Sequence, residues 1–251
     1  MSAAPRGDYA EVHGSPGARV RFLGYSTIYW PFLLALFLGG WFLQAALPAP
    51  VPRTAAGVAL GLIVLAAWSA AGPCARRFDR ILKGARGEEE AARELALLPP
   101  AWTVFHGVPR GGFDAMAGGG DFDHVVVGPR AVFVVETKNW RGPVRVDERG
   151  AVTVAGLSIA RSPVAQVRRE ARDLARLLRG ALPDGAAVRG VVCFAGDSLE
   201  GARADVDGTP LCNLSELRAL LRALDDAAPS ALAANARARA VSVLLSRLEG
   251  G

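Results

Sequence analysis

Three side chains in two neighbouring segments could do chemistry together: Asp123, Glu136 and Lys138. Glu136 and Lys138 stand one residue apart at the end of the apolar run Ala131–Val135, and Asp123 precedes them by the length of one β-hairpin. Carboxylates on adjacent strands hold hard cations such as Mg²⁺ through oxygen. A lysine beside them orients a water or steadies charge developing on a phosphate. That is the minimal kit for metal-assisted phosphodiester cleavage. It is also the kit of an ordinary ion pair at a sheet end. Two carboxylates and a lysine on an otherwise apolar sheet face are costly without a ligand, which favours the first reading.

The elements that must position these groups follow from local pattern. Phe122–Val127 and Val132–Lys138 read as strands joined at Gly128-Pro129-Arg130-Ala131. Pro129 cannot take the positive φ of a two-residue primed turn, but suits the second position of a type I turn in a four-residue loop. Val127 then faces Val132 and, counting outward, Asp123 faces Glu136. Alternation puts Asp123, Glu136 and Lys138 on one face and His124 on the other, whereas a one-residue slip would part the carboxylates. Trp140 and Arg141 follow directly, placed either to pack a strand end or to meet nucleic acid.

Gly87–Leu98 reads as a helix closed by Pro99-Pro100, with Glu88, Glu89 and Glu90 in its first turn. Glu88, Ala92 and Leu95 share the inward face, so Glu88 is the glutamate that points at a site. Trp102–Val108 reads as a strand and Arg110–Gly120 as a glycine-rich loop. Ser162-Pro163 opens a helix, with Ser as N-cap, Pro at N1 and Gly180 just past the end. Its buried stripe is Val164, Val167, Ala171, Leu174 and Leu178; Arg168, Arg172, Arg176 and Arg179 lie off it, a solvated face or a phosphate contact. Val188–Ala195 is an apolar strand buried on both faces. A weaker strand near Thr209–Asn213 and helices Leu214–Leu224 and Ser230–Leu248 follow. This order predicts an α/β (α+β) fold with a mixed central sheet flanked by helices.

Four stretches resemble the nuclease-related domain (NERD) family: Arg86-Gly87-Glu88-Glu89, Gly120–Val127, Val132–Gly142 and Ser162–Gln166. The resemblance spans residues 84–195 and implies the restriction-endonuclease-like fold of the PD-(D/E)xK superfamily. Carried over residue by residue, it implies a catalytic set of Glu88, Asp123, Glu136, Lys138 and Gln166, with Asp123, Glu136 and Glu88 as ligands of Mg²⁺ or Mn²⁺. The carbonyl of Thr137 completes that implied shell, and Gln166 positions the helix or the water. Phe122 stands where family members usually carry an aliphatic residue, and Ser162 where they often carry Asn; neither change touches the metal carboxylates.

The chain has 251 residues, a net charge of +5 and 51% hydrophobic content. The apolar excess is concentrated near the N-terminus. Ile28–Leu47 and Thr54–Ala71 carry no charge. Each is long enough to cross a ~30 Å hydrocarbon core, and Tyr29, Trp30, Trp41 and Trp68 suit interfacial anchors. Pro48–Pro52 breaks the chain between them. The expectation is a disordered cytoplasmic N-terminus at 1–27, a transmembrane hairpin at 28–72, a linker at 73–86 and a nuclease-like domain at 87–251 whose core ends at 195. Arg6, Arg19 and Arg21 before the first run, and Arg76, Arg77, Arg80 and Lys83 after the second, place both ends in the cytoplasm of a multi-pass inner-membrane protein. No intramembrane charge suggests a transport path. Cys74, Cys193 and Cys212 show no metal spacing and read as reduced thiols. The expected partners are DNA and the bilayer. The competing reading is a catalytically silent module that binds nucleic acid or protein at the membrane.

Overall fold

The computed structural model describes residues 8–17, 33–41, 53–110, 120–147, 151–196, 198–201 and 203–250, with Phe22, Ser26 and Trp30. Two compact units share the chain, one of residues 1–17 and 86–251, the other of residues 18–85. The first holds a seven-stranded mixed sheet of order β1-β2-β3-β4-β8-β10-β9. Its strands are β1 (Glu11–Gly14), β2 (Thr103–Pro109), β3 (Asp121–Val127), β4 (Ala131–Lys138), β8 (Ala187–Phe194), β9 (Arg203–Val206) and β10 (Thr209–Asn213). A second, small sheet of β5 (Val144–Val146), β6 (Val152–Val154) and β7 (Leu157–Ser158) shares a core with it through Val144 and Val152. The helices are α1 (Arg53–Ala96), α2 (Pro163–Leu177), α3 (Leu217–Asp226) and α4 (Ala234–Glu249).

β4 lies centrally, antiparallel to β3 and parallel to β8. Its run Val132-Phe133-Val134-Val135 is fully buried, which is why it is continuously apolar rather than alternating. The expected hairpin register holds: Val127 pairs with Val132, Val125 with Val134 and His124 with Val135. The Gly128 amide donates to the Ala131 carbonyl at 2.9 Å and closes the loop. A residue from the far end of the chain locks it. Buried Asp225 Oδ1 accepts from the Arg130 and Ala131 amides at 2.9 and 2.8 Å. Gly128 makes room, since a Cβ there would lie 2.5 Å from Asp225 Oδ1 and 2.9 Å from the Trp102 ring.

The sheet buries both faces. On one, Val125, Val127, Val132, Val134, Val192 and Phe194 meet Val164, Val167, Leu174 and Leu178 of the α2 region and Ala240 and Leu244 of α4. On the other, Val126, Phe133, Val135 and Val191 meet Ala91 and Leu95 of α1 and Leu217 and Leu221 of α3. α2 makes the crossover from β4 to β8 and sits hard against the latter: a Cβ on Gly190 would come within 2.9 Å of the Val167 carbonyl oxygen. Its start is the expected one, with Ser162 Oγ accepting from the Ala165 amide at 3.3 Å and Pro163 opening the first turn. Gly180 takes φ +86° beyond its end. Cys193 and Cys212 are buried free thiols.

The N-terminal half departs from expectation. Residues 11–14 are not disordered: β1 adds to the sheet edge parallel to β2, pairing Val12 with Val104, and the Ala10 amide donates to the Leu98 carbonyl at 2.8 Å. The expected linker at 73–86 is helical, because α1 runs unbroken from Arg53 to Ala96. The expected first span lies largely outside the described residues. Among the described residues no helix is long and apolar enough to cross a membrane, so the transmembrane hairpin is not supported. Within α1 the uncharged stretch continues directly into a segment rich in Arg, Lys and Glu, with no helix end to bound a span.

Candidate active site

Asp123, Glu136 and Lys138 converge where β3 begins and β4 ends. β4 stays paired with β8 through Lys138, opposite Phe194, so Glu136 and Lys138 project from a backbone held on the sheet. Asp123 is tied in turn: its Oδ2 accepts from the Thr137 amide at 2.9 Å. The Lys138 ammonium donates to Glu136 Oε1 and, at 3.1 Å, to Gln166 Oε1. Gln166 lies in the first turn of α2 and reaches the site because α2 packs on β8. Three of the five expected residues, Glu136, Lys138 and Gln166, are therefore bonded directly, and Asp123 joins them through the Thr137 amide.

Glu88 joins electrostatically. It feels the charges of Glu136, Lys138 and Asp121, and a backbone hydrogen bond from Gly17. Gly87 brings the helix in, since a Cβ there would meet Asn139 Cβ at 2.7 Å and Ala195 Cβ at 3.2 Å. Burial, then the neighbouring Glu136, raises the Glu88 carboxyl to about 7, against the pull of Gly17 and Lys138. Asp123 is held well above the ordinary carboxylate range by burial and by Glu136 and Glu88, which outweigh the Thr137 amide and Lys138. Burial opposes the Lys138 charge, yet Glu136, Asp123 and Glu170 together raise its pKa. The site thus crowds carboxyl groups around one lysine, and burial favours the protonated forms of Glu88 and Asp123.

Glu170 is the member that pattern reading missed. It is 1% exposed on the inner side of α2. Its Oε1 accepts from Gln166 Nε2 at 3.0 Å and from Arg110 Nη1 at 3.3 Å. Arg110 also binds Asp173 and lies over the Phe122 ring, 5.6 Å from its centroid. Burial and Glu136 raise Glu170 to about 8. A signal was present: Glu170 falls three residues after Val167 and four before Leu174, inside the apolar stripe of α2. A carboxylate there must find partners or a task.

His124 is not in the site. It points to the opposite face, its Nδ1 2.7 Å from that of His106, and burial and His106 push its pKa well down. The two rings form a neutral pair in the core, with His106 lowered to about 4 by burial. Trp140 packs on Phe194, ring centroids 5.6 Å apart, and Arg141 is exposed.

Among the described residues Glu136 Oε2 and Glu170 Oε2 meet no N–H donor, and the two carboxyls can share only a proton with each other, which helps to raise Glu170. A cation would satisfy Glu136 Oε2, and the donor set is all oxygen, as Mg²⁺ prefers. Among the described residues no group of three or more His, Cys, Asp or Glu side chains is arranged to hold a metal. Mg²⁺ does not need one, because it commonly uses one or two carboxylates and takes its remaining ligands from water and substrate phosphate. Asp123 and Glu136 are the two carboxylates that would supply them.

Residues 83–195 match NERD, the nuclease-related domain. The matched span contains Glu88, Asp123, Glu136, Lys138, Gln166 and Glu170 and closes just after β8. β9, β10, α3 and α4 lie beyond the NERD match, although Asp225 of α3 secures its hairpin. The mixed sheet with helices on both faces is consistent with the PD-(D/E)xK superfamily. Comparisons with curated proteins and with solved structures found no match.

Proposed function

We propose that the NERD unit is an Mg²⁺- or Mn²⁺-dependent nuclease that hydrolyses phosphodiester bonds of DNA. The observation that carries this reading is the bonding of Glu136 and Gln166 to Lys138, with Asp123 held beside them by the Thr137 amide and Glu136 Oε2 met by no N–H donor among the described residues. Asp123 and Glu136 would hold the cation, with Glu88 behind them. When bound, the cation would polarise the scissile phosphate and acidify a water. Lys138, kept protonated by the surrounding carboxylates, orients the nucleophilic water and offsets charge building on the phosphate. Gln166 presents its carbonyl oxygen to the lysine and fixes where the ammonium points.

The test is cleavage of supercoiled and linear DNA by the full chain in detergent, with Mg²⁺, Mn²⁺ or EDTA. The wild type is expected to cut only with metal, and Glu136→Ala and Lys138→Ala to lose at least about 100-fold of the rate. Equal background in all three proteins would refute the proposal. Tight DNA binding by a wild type that never cuts would identify a silent binding module instead.

We also propose that the 18–85 unit attaches the chain to a lipid bilayer at its cytoplasmic face. Large apolar side chains stand exposed there: Trp30, Phe37 and Trp41 at 70%, 70% and 64%, with Leu34, Val58, Leu62 and Leu65. Water does not stabilise such a surface, and lipid does. Retention of the full chain in carbonate-washed membranes is expected; recovery in the soluble fraction would refute attachment.

A further inference from the structure

We infer that the solvent face of α2 is a contact surface for the phosphate backbone of duplex DNA, carried by Arg169 and Arg172. The inference rests on the hydrolase reading above and deepens it by assigning residues that hold the substrate away from the reacting atoms. α2 contains Arg168, Arg169, Arg172 and Arg176 against two acids, Glu170 and Asp173. The arginines divide by role. Arg168 braces the fold, donating to Thr209 Oγ1 and the Val206 carbonyl, each at 2.7 Å. Arg176 is paired with Asp173, which also binds Arg110. Arg169 and Arg172 are exposed and make no hydrogen bond or ion pair among the described residues. They line a shallow depression with Asp173, Ala175 and Arg176.

Their place on the helix links them to chemistry. Gln166, whose oxygen meets Lys138, is three residues before Arg169 and six before Arg172. At the helical rise these guanidinium groups branch off about 4.5 and 9 Å further along the axis. One DNA strand presents a phosphate about every 3.4 Å of its axis, so the pair spans neighbouring phosphates of a strand whose scissile bond lies at Lys138. Guanidinium suits this task because its fork matches phosphate oxygens and it keeps its charge. An anionic membrane surface offers phosphates too, but adjacency to the carboxylate–lysine cluster favours nucleic acid.

The test is the salt dependence of binding of the full chain to a fluorescent 20-base-pair duplex in EDTA. Each neutralised phosphate contributes about 0.9 to the slope of log K against log[salt], so Arg169→Gln with Arg172→Gln is expected to flatten it by about 2. A control double variant, Arg218→Gln with Arg222→Gln on α3 at the opposite sheet face, removes the same charge and is expected to leave the slope unchanged. An unchanged slope in the α2 variant, an equal drop in both variants, or no wild-type binding at low salt would overturn the inference. Loss of binding to phosphatidylserine vesicles with the duplex slope intact would overturn it in favour of a membrane contact. Metal-dependent cleavage with an unchanged slope would refute the surface and leave the hydrolase reading standing. A flattened slope without cleavage would do the reverse.

Discussion

Replacing Glu170 with glutamine should stabilise the protein at alkaline pH and leave it nearly unchanged in acid. Burial and Glu136 raise this carboxyl from 4.5 to about 8. A carboxyl whose folded pKa lies above its unfolded one favours the fold fully below the unfolded value. That contribution is lost as pH rises through the folded value. At about 1.4 kcal/mol per pH unit, the span from 4.5 to about 8 sets a ceiling of about 5 kcal/mol. Part of the rise comes from Glu136, whose charge any proton in the cluster also relieves, so about 2 kcal/mol is expected for Glu170 alone. Glutamine copies the protonated form: its oxygen still accepts from Gln166 and Arg110, and its amide needs no counter-charge. Thermal unfolding of the full chain in detergent reads the effect. Wild type and Glu170→Gln should melt together near pH 5, and the variant about 6 °C higher near pH 9. Parallel pH profiles, or a variant weaker at both ends, would refute the view that Glu170 is held against its charge.

Three further outcomes follow from the same geometry. Gly190→Ala places a methyl 2.9 Å from the Val167 carbonyl oxygen, so it should cost about 1–3 kcal/mol in urea unfolding and reduce cleavage by moving Gln166 off Lys138. Asp225→Ala removes the acceptor of two loop amides and should cost about 3 kcal/mol, read as a lower urea midpoint at unchanged m-value. Cleavage rate should rise between pH 6 and 8 as Glu88, near 7, loses its proton. Because protons and cation compete for these oxygens, the midpoint should fall as Mg²⁺ is increased, and a midpoint indifferent to Mg²⁺ would refute that competition.

What could be read without coordinates was local. Pro129 excludes a two-residue turn, and that one constraint carried the register from Val127–Val132 out to Asp123 beside the Glu136 strand end. Ser162-Pro163 marks a helix start by cap chemistry alone. Helix phase separated Glu88 from Glu89 and Glu90. Short-range sterics and periodicity settle such features, so a sequence window contains the whole cause.

The N-terminal strand was illegible for the opposite reason. Glu11-Val12-His13-Gly14 has no strand pattern of its own; the open edge of β2 supplies its hydrogen bonds. The length of α1 and the exposure of its apolar side chains likewise depend on what surrounds them. The active site shows the division most clearly. The sequence by itself determined that two carboxylates and a lysine share a sheet face. Only the tertiary structure decided that Gln166 would meet that lysine, that Glu170 would be buried behind it, and that Arg169 and Arg172 would be exposed with no partner among the described residues. The first two outcomes depend on how closely the crossover helix lies against β8, an approach that the missing side chain at Gly190 permits.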